Sequence, residues 1–156
     1  MGRGHRVRAP FEFKFKMPQP AVWGPVLWRF LHSFAARVGK GPAVTRVDEN
    51  REALWLLEHL DTVIPCADCR KHWRRILLQR VPPGLPTAEW MFAAHNSVNR
   101  RLGKPELTTI PDVTVKPREA WVNYVNVVKD SMARGTLEGI RVSEFAHHVG
   151  LWNSFS

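Results

Sequence analysis

The stretch that decides the fold is TAEWMFAAHNSVNRRLGK, residues 87–104. Its apolar residues recur at helical spacing, so we predict a helix that fills most of the stretch and ends at Gly103. His95 and Asn99 interrupt the apolar side of this helix, and Asn96 lies at its edge. Buried polar groups need hydrogen-bonding partners. These side chains therefore either bond to neighbouring helices or face a polar, planar ligand held between helices.

Helical periodicity also dominates on both sides of this stretch. The residues from Glu106 to Lys116 predict a linker with some strand-like residues. The other predicted helices are bounded by prolines, glycines and capping residues: a first after Pro25 that ends at Gly39, a second from Asp48 to Pro65, a third from Cys66 to Gln79, a fifth from Pro117 to Gly135, and a short last helix from Ser143 to Trp152. The connections are short, which indicates an all-α protein: a four-helix bundle with an additional fifth helix and a short C-terminal helix.

The length and charge of the chain narrow its class. At 156 residues it has the size of one domain, and we expect a flexible basic tail over residues 1–20 and a C-terminal helical extension over residues 136–156. The formal net charge is +9, but the Lys and Arg residues form no dense run. We therefore expect no specific nucleic-acid binding. No apolar run is long enough to predict a membrane span.

The pair Cys66 and Cys69 contains the only cysteines of the chain. Pro65 ends one predicted helix and Cys66 opens the next, and the positive end of a helix dipole favours a thiolate. Further cations follow within the same segment: Arg70, Lys71, His72 and Arg74. This setting favours a redox-active pair.

Two other interpretations of the pair remain open. Cys66, Cys69 and His72 have spacings that a zinc site could use, but structural zinc takes four ligands and no second cysteine pair exists. The cysteines could also be two small buried apolar residues. A thioredoxin fold is disfavoured, because the segment before the pair predicts a helix rather than a strand.

The first predicted helix repeats the polar pattern of the fourth. Trp28 and His32 lie four residues apart beside its apolar side, and the small Ala35 leaves space next to them. Two helices with polar or flat side chains next to their apolar faces indicate a cofactor pocket between them.

Three motifs together resemble those of the Erv/ALR flavin-dependent sulfhydryl oxidases, over about residues 23–125. They are WRFLH at 28–32, CADCRKHW at 66–73 and WMFAAHNSVNRRLGKP at 90–105. The resemblance implies that residues 21–135 form an Erv/ALR-like sulfhydryl oxidase domain, a helical bundle around FAD with no metal. It also implies a set of cofactor-binding residues: Trp28, His32, His95, Asn96, Val98, Asn99, Leu102, Lys104 and Trp121.

The resemblance also implies the roles of the cysteines in catalysis. Cys69 would be the thiol next to the flavin and Cys66 the one exposed to substrate. A substrate dithiol would reduce the Cys66–Cys69 disulfide, Cys69 would pass two electrons to FAD, and oxygen would take them up as hydrogen peroxide. The alternative is a zinc-binding or basic interaction module without enzymatic activity.

The sequence departs from the usual family pattern, because it lacks the second, shuttle cysteine pair and the structural disulfide. We therefore expect a dithiol-containing or thioredoxin-like protein substrate that meets the pair directly. Family resemblance further implies a homodimer. The compact form is most similar to members encoded by large cytoplasmic DNA viruses, which implies the cytoplasm of an infected host cell, and the virion, as the place of action. An arginine-rich N-terminus leaves the mitochondrial intermembrane space as the alternative.

Overall fold

The computed structural model describes residues 20–79, 84 and 86–156, and over these residues it is all-helical. The all-α prediction is confirmed. The predicted tail lies outside the described residues, except for its last residue, Pro20. The six helices are α1 (Pro20–Arg37), α2 (Arg46–His59), α3 (Ala67–Gln79), α4 (Ala88–Arg101), α5 (Pro117–Ala133) and α6 (Gly139–Phe155). Short 3₁₀ turns, Ala43–Thr45 and Leu60–Val63, come before and after α2.

The first helix begins earlier than the sequence predicted. Pro25 was expected at its start, but it lies inside α1, which begins at Pro20. A proline removes one backbone hydrogen bond from a helix interior. Burial of Trp23 and Leu27 on the same side of the helix compensates for that loss, because continuing the helix through Pro25 places both side chains in the core.

The second helix also begins before the predicted residue. Asp48 was expected at its start, but it lies in the first turn, and Thr45 occupies the cap position. The Thr45 hydroxyl donates instead to the carbonyl oxygen of Phe155, 2.7 Å away. This bond ties the end of α6 to the start of α2. Asp48 is still well placed, since a carboxylate near a helix N-terminus is stabilised by the helix dipole.

The last helix is the largest departure from the prediction. α6 is 17 residues long and begins four residues before Ser143. Its apolar side chains recur at spacings of three and four and are almost completely buried: Val142, Phe145, Val149 and Trp152. α6 packs against α2 and α5. It therefore contributes to the same hydrophobic core as the other helices.

The end of the second helix also differs, because α2 ends at His59 and a 3₁₀ turn follows it, whereas the prediction extended the helix to Pro65. The start of α4 and the ends of α4 and α5 agree with the sequence. The Thr87 hydroxyl accepts a hydrogen bond from the backbone N–H of Trp90 and caps α4. Gly103 and Gly135 follow α4 and α5 with φ angles of 67° and 75°, a region that favours glycine. Each of these two helices therefore ends close to the glycine at which the sequence predicted its end.

The packing of α1 positions the site. One side of α1 packs against α5, with Phe30 in contact with Trp121 and Phe145. Another side faces α4 across a gap, and α3 lies at the end of that gap. The bundle thus leaves a space bounded by α1, α3 and α4.

We expect Phe145→Ala to lower the free energy of unfolding by about 3–5 kcal/mol, because it leaves a cavity in the core. Ile140→Ala, on the same helix but 75% exposed, is the matched control and should change it by about 0.5 kcal/mol or less. Urea denaturation followed by circular dichroism measures both. Equal effects would mean that α6 is not part of the cooperative core.

Candidate active site

The gap between α1, α3 and α4 is a cavity of about 690 Å³, closed on one side by residues 111–115. Ligand sites are commonly about 300–1,000 Å³ in volume. The cavity contains Cys69 together with most of the predicted cofactor-binding residues: Trp28, His32, His95, Val98, Asn99, Leu102 and Lys104. The structure therefore places residues of all three motifs, WRFLH, CADCRKHW and WMFAAHNSVNRRLGKP, around one cavity.

A pair of histidines links α1 to α4 at the wall of this cavity. His32 Nε2 and His95 Nδ1 are 2.8 Å apart, and the indole of Trp28 stacks on His95 at a centroid distance of 3.9 Å. The pKa of each imidazole is lowered to about 4, mainly by burial, and for His95 the neighbouring His32 and Lys104 contribute to that lowering. Both rings are therefore neutral at pH 7, so that one donates to the other.

The cavity wall has features that fit a planar heteroaromatic cofactor. His32 Nδ1 is buried and has no hydrogen-bond partner within the described part of the chain. A buried polar atom without a partner costs roughly 1–3 kcal/mol. Gly24 of α1 also lines the cavity, and a Cβ added there would meet no atom within 4 Å. The wall thus presents an unpaired ring nitrogen and, at Gly24, backbone that no side chain covers.

The end of α4 supplies both polar and apolar groups to the cavity. Asn99 is buried against it, and the Asn99 carbonyl oxygen accepts from the backbone N–H of Lys104 at 2.8 Å. This bond closes the helix end and keeps Lys104 at the rim. Val98 and Leu102 line the cavity with apolar surface. The rim is consequently cationic, and its walls are largely apolar.

Two predicted cofactor-binding residues do not reach the cavity. The Asn96 amide binds the loop after α4: its Oδ1 accepts from Leu107 N at 2.7 Å, and its Nδ2 donates to Leu107 O at 3.1 Å. Trp121 is buried in the core between Phe30 and Phe145. Asn96 therefore anchors the loop, and Trp121 holds α5 to its neighbours.

The two cysteines occupy different positions relative to the cavity. Cys66 immediately precedes α3, and its Sγ accepts from the backbone N–H of Cys69 at 3.3 Å. Both thiols are free and partly buried, but only Cys69 lines the cavity. Cys69 thus faces the cavity, and Cys66 lies outside its lining.

The expected lowering of thiol pKa values does not hold for Cys69. Burial raises the pKa of Cys69 to about 11, and its hydrogen bond with Cys66 raises it as well. Arg101 opposes both effects, because its Nη2 lies 3.5 Å from Cys69 Sγ and stabilises the thiolate. Desolvation thus outweighs the nearby positive charge at this position.

The cation that donates a hydrogen bond to Cys69 belongs to α4 rather than to α3. Two of the expected α3 cations have other partners: Arg70 donates to the carbonyl oxygens of Ile64 and Thr136, and Arg74 pairs with Asp61 at 2.8 Å. These contacts hold α3 against the segments of the chain that contain those partners. Arg101 lies 32 residues after Cys69, so the cations that neighbour the cysteines along the chain give no indication of it.

Other lining residues were also missed. His72 and Trp73 of α3 line the cavity, as do residues 111–115 of the predicted linker. Position on α4 could have revealed Arg101, which is three residues after Val98 and next to Leu102. The sequence indicates only a linker with some strand-like residues over 106–116, a pattern that does not predict contact with a ligand.

The zinc alternative finds no support among the residues that the structure describes. Over 20–79, 84 and 86–156, no group of three His, Cys, Asp or Glu side chains converges to hold a metal ion. In the same ranges, no helix has both the length and the apolar character needed to cross a membrane.

A helical bundle with a Cys-x-x-Cys pair at the edge of a cofactor-sized cavity defines a dithiol redox protein. The chain belongs to the Erv1/Alr family, whose sequence profile matches residues 25–121. The resemblance stated from the three motifs is thereby confirmed.

Named relatives support the same membership. The chain is 31% identical over 137 residues to an African swine fever virus FAD-linked sulfhydryl oxidase, covering 85% of this chain and 97% of that protein. It is 33% identical over 95 residues to the mitochondrial FAD-linked sulfhydryl oxidase erv1 of Schizosaccharomyces pombe, covering 58% of this chain and 50% of that protein. No solved structure is significantly similar.

We expect Arg101→Gln to raise the pKa of Cys69 further, because it removes the charge that favours the thiolate. In a Cys66→Ser background, alkylation of Cys69 by iodoacetamide should then be slower by about threefold at each pH below that pKa. Arg101→Lys should retain most of the rate. Arg100→Gln is the control, since the exposed Arg100 pairs with Glu106 instead. Identical pH profiles for the two Gln variants would contradict the assignment.

Proposed function

We propose that this protein is an FAD-linked sulfhydryl oxidase that forms disulfide bonds in substrate proteins. Cys66 and Cys69 would take two electrons from a substrate dithiol, and FAD held in the cavity would supply the acceptor from which oxygen is reduced to hydrogen peroxide. The observation that carries the proposal is that Cys69 shares one cavity with the stacked Trp28 and His95. Membership of the Erv1/Alr family supports the same activity.

The thiol chemistry follows from the positions of the two cysteines. A substrate thiolate attacks the Cys66 sulfur of the oxidised pair, so that a mixed disulfide forms and Cys69 leaves as a thiolate. A second substrate thiol then displaces Cys66, which gives the substrate disulfide and a reduced pair. Arg101 stabilises the negative charge on Cys69 as it is released. Bound FAD supplies the two-electron acceptor and the reactivity with oxygen.

The cofactor would be held by the residues that line the cavity. Trp28, His32 and His95 provide a flat wall with one unpaired nitrogen, and Asn99 adds a buried amide. Lys104 at the rim suits a phosphate group. Val98 and Leu102 would contact the apolar parts of the ring system.

The division of the chain is part of the proposal. Residues 21–135 contain all the cavity residues after Pro20 and form the oxidase domain. Residues 136–156 form the C-terminal extension, whose helix α6 packs against α2 and α5 and contributes no residue to the cavity lining. In this arrangement the extension supports the site without contacting the cofactor.

The substrate is a dithiol or thioredoxin-like protein that reaches Cys66 directly, since the chain has no other cysteines to relay electrons. The exposed Lys71 near the pair favours an acidic partner. By family resemblance the enzyme acts as a homodimer. The proposed place of action is the cytoplasm of an infected cell, and the virion, which the similarity to a viral protein supports. The mitochondrial intermembrane space is the alternative, which the similarity to a mitochondrial fungal protein supports.

The purified protein should be yellow and contain about one FAD per chain. Asn99→Ala should lower the FAD-to-protein absorbance ratio, because it removes a buried hydrogen-bonding group from the cavity. Asn126→Ala, at an exposed position of α5, is the control and should retain FAD. A colourless protein that instead carried stoichiometric zinc would refute the proposal and favour the metal-binding alternative.

A small dithiol should be oxidised much faster than a monothiol. Dithiothreitol carries its resolving thiol in the same molecule, whereas glutathione needs a second molecule to resolve the mixed disulfide. Oxygen consumption at matched thiol concentration measures the difference, with Cys66→Ser and Cys69→Ser as inactive controls. Direct exchange at Cys66 would be wrong if glutathione matched the dithiol.

A further inference from the structure

A second concave surface lies between α5 and α6, and no residue that lines it also lines the cofactor cavity. This groove has a volume of about 420 Å³. Its apolar floor combines buried and half-buried side chains of both helices: Trp121, Val125, Ala146 and Val149. The apolar surface continues outward onto Val122, which is 51% exposed. Such a surface gains free energy when it is covered.

One glycine in the groove has no explanation within the chain itself. Gly150 lies inside α6, where glycine costs roughly 1 kcal/mol relative to alanine. A Cβ added at Gly150 would meet no atom within 4 Å. Packing inside this protein therefore does not require glycine there. Bare backbone at a groove instead permits the close approach of another chain.

Cations flank the apolar floor at its two ends. Arg118 and Lys129 both line the groove and are exposed. They lie 11 residues apart on α5, which is roughly 16 Å along a helix. Neither forms an ion pair with any residue of the described ranges, and none of the groove-lining residues found there is acidic. Elsewhere arginines do pair with carboxylates, as Arg74 does with Asp61. The groove thus presents two unpaired positive charges on either side of apolar surface.

Charge identifies the kind of occupant. A second copy of this chain would bring a formal net charge of +9 to a groove that is already cationic. Residues 1–19 carry five Lys or Arg residues against one Glu, so they would be repelled as well. We infer that the α5–α6 groove binds an acidic, amphipathic helical segment of a partner protein. Its apolar side chains cover Val122 and Val125, and its carboxylates pair with Arg118 and Lys129.

The groove is separate from the thiol chemistry. Cys66, where substrate exchange takes place, and Cys69 are both absent from its lining. Occupation of the groove therefore holds a partner at the enzyme surface while the cysteines stay free to react. This inference goes beyond the proposed oxidase activity and can be tested without it.

The test uses a fluorescein-labelled helical peptide of about 14 residues, with Glu in its first and last turns and Leu in its middle turns. Fluorescence anisotropy with the full chain should show binding that weakens as salt is raised. The double variant Arg118→Glu/Lys129→Glu should weaken binding by about tenfold or more. Val122→Asn should weaken it through the apolar surface. Oxidation of dithiothreitol should be unchanged in all of these variants.

The matched control is Arg37→Glu/Lys40→Glu, which changes the net charge equally at exposed positions outside the groove. It should leave peptide affinity within about twofold, since distant surface charges are screened. Equal losses in the two double variants would overturn the inference, as would equal binding of a peptide with Lys in place of Glu.

Other occupants give distinct results that would also overturn it. A dimer seen by analytical ultracentrifugation and lost in Arg118→Glu/Lys129→Glu would assign the groove to a second copy. Displacement of the acidic peptide by a synthetic peptide of residues 1–19 would assign it to this chain's own N-terminal segment. Binding of phosphatidylserine vesicles, but not of the acidic peptide, would assign it to a membrane surface.

Discussion

The burial of α1 is the constraint on which the rest of the structure depends. Its aromatic side, with Phe30 and Phe34 almost completely inaccessible to water, joins α5 and α6 in the core. Fully burying such side chains contributes roughly 1.5–3 kcal/mol each. That burial fixes the rotation of α1 about its axis. Trp28 and His32 must then face the opposite direction, toward α4, and the cofactor cavity forms where they point.

The parts of the site that could be predicted from the sequence are those that follow helical periodicity. His95 and Asn99 stood out because they interrupt an apolar face, and both line the cavity. Asn96 was predicted for the same reason, but its amide forms hydrogen bonds with the Leu107 backbone instead of lining the cavity. Sequence spacing cannot distinguish a polar group that binds a ligand from one that binds a nearby backbone.

The parts that could not be predicted depend on tertiary contacts. Arg101 approaches Cys69 from another helix, 32 residues further along the chain. The length of α6 follows from its packing against α2 and α5 rather than from a strong start signal at Gly139. The pKa of the Cys69 thiol also depends on tertiary contacts. A helix N-terminus and nearby cations favoured a thiolate, but only the folded structure shows how much burial opposes it.

The loop that closes the cavity is held at its two ends. Asn96 binds Leu107, and the Ser33 hydroxyl donates to the carbonyl oxygen of Val115 at 2.6 Å. Between these anchors, the described residues make no backbone–backbone hydrogen bond. Such a segment opens at a lower free energy than the helices around it, because local unfolding breaks few bonds. Local opening of this segment therefore uncovers one side of the cavity while the helices stay folded, so that exchange of a bound molecule does not require unfolding of the bundle.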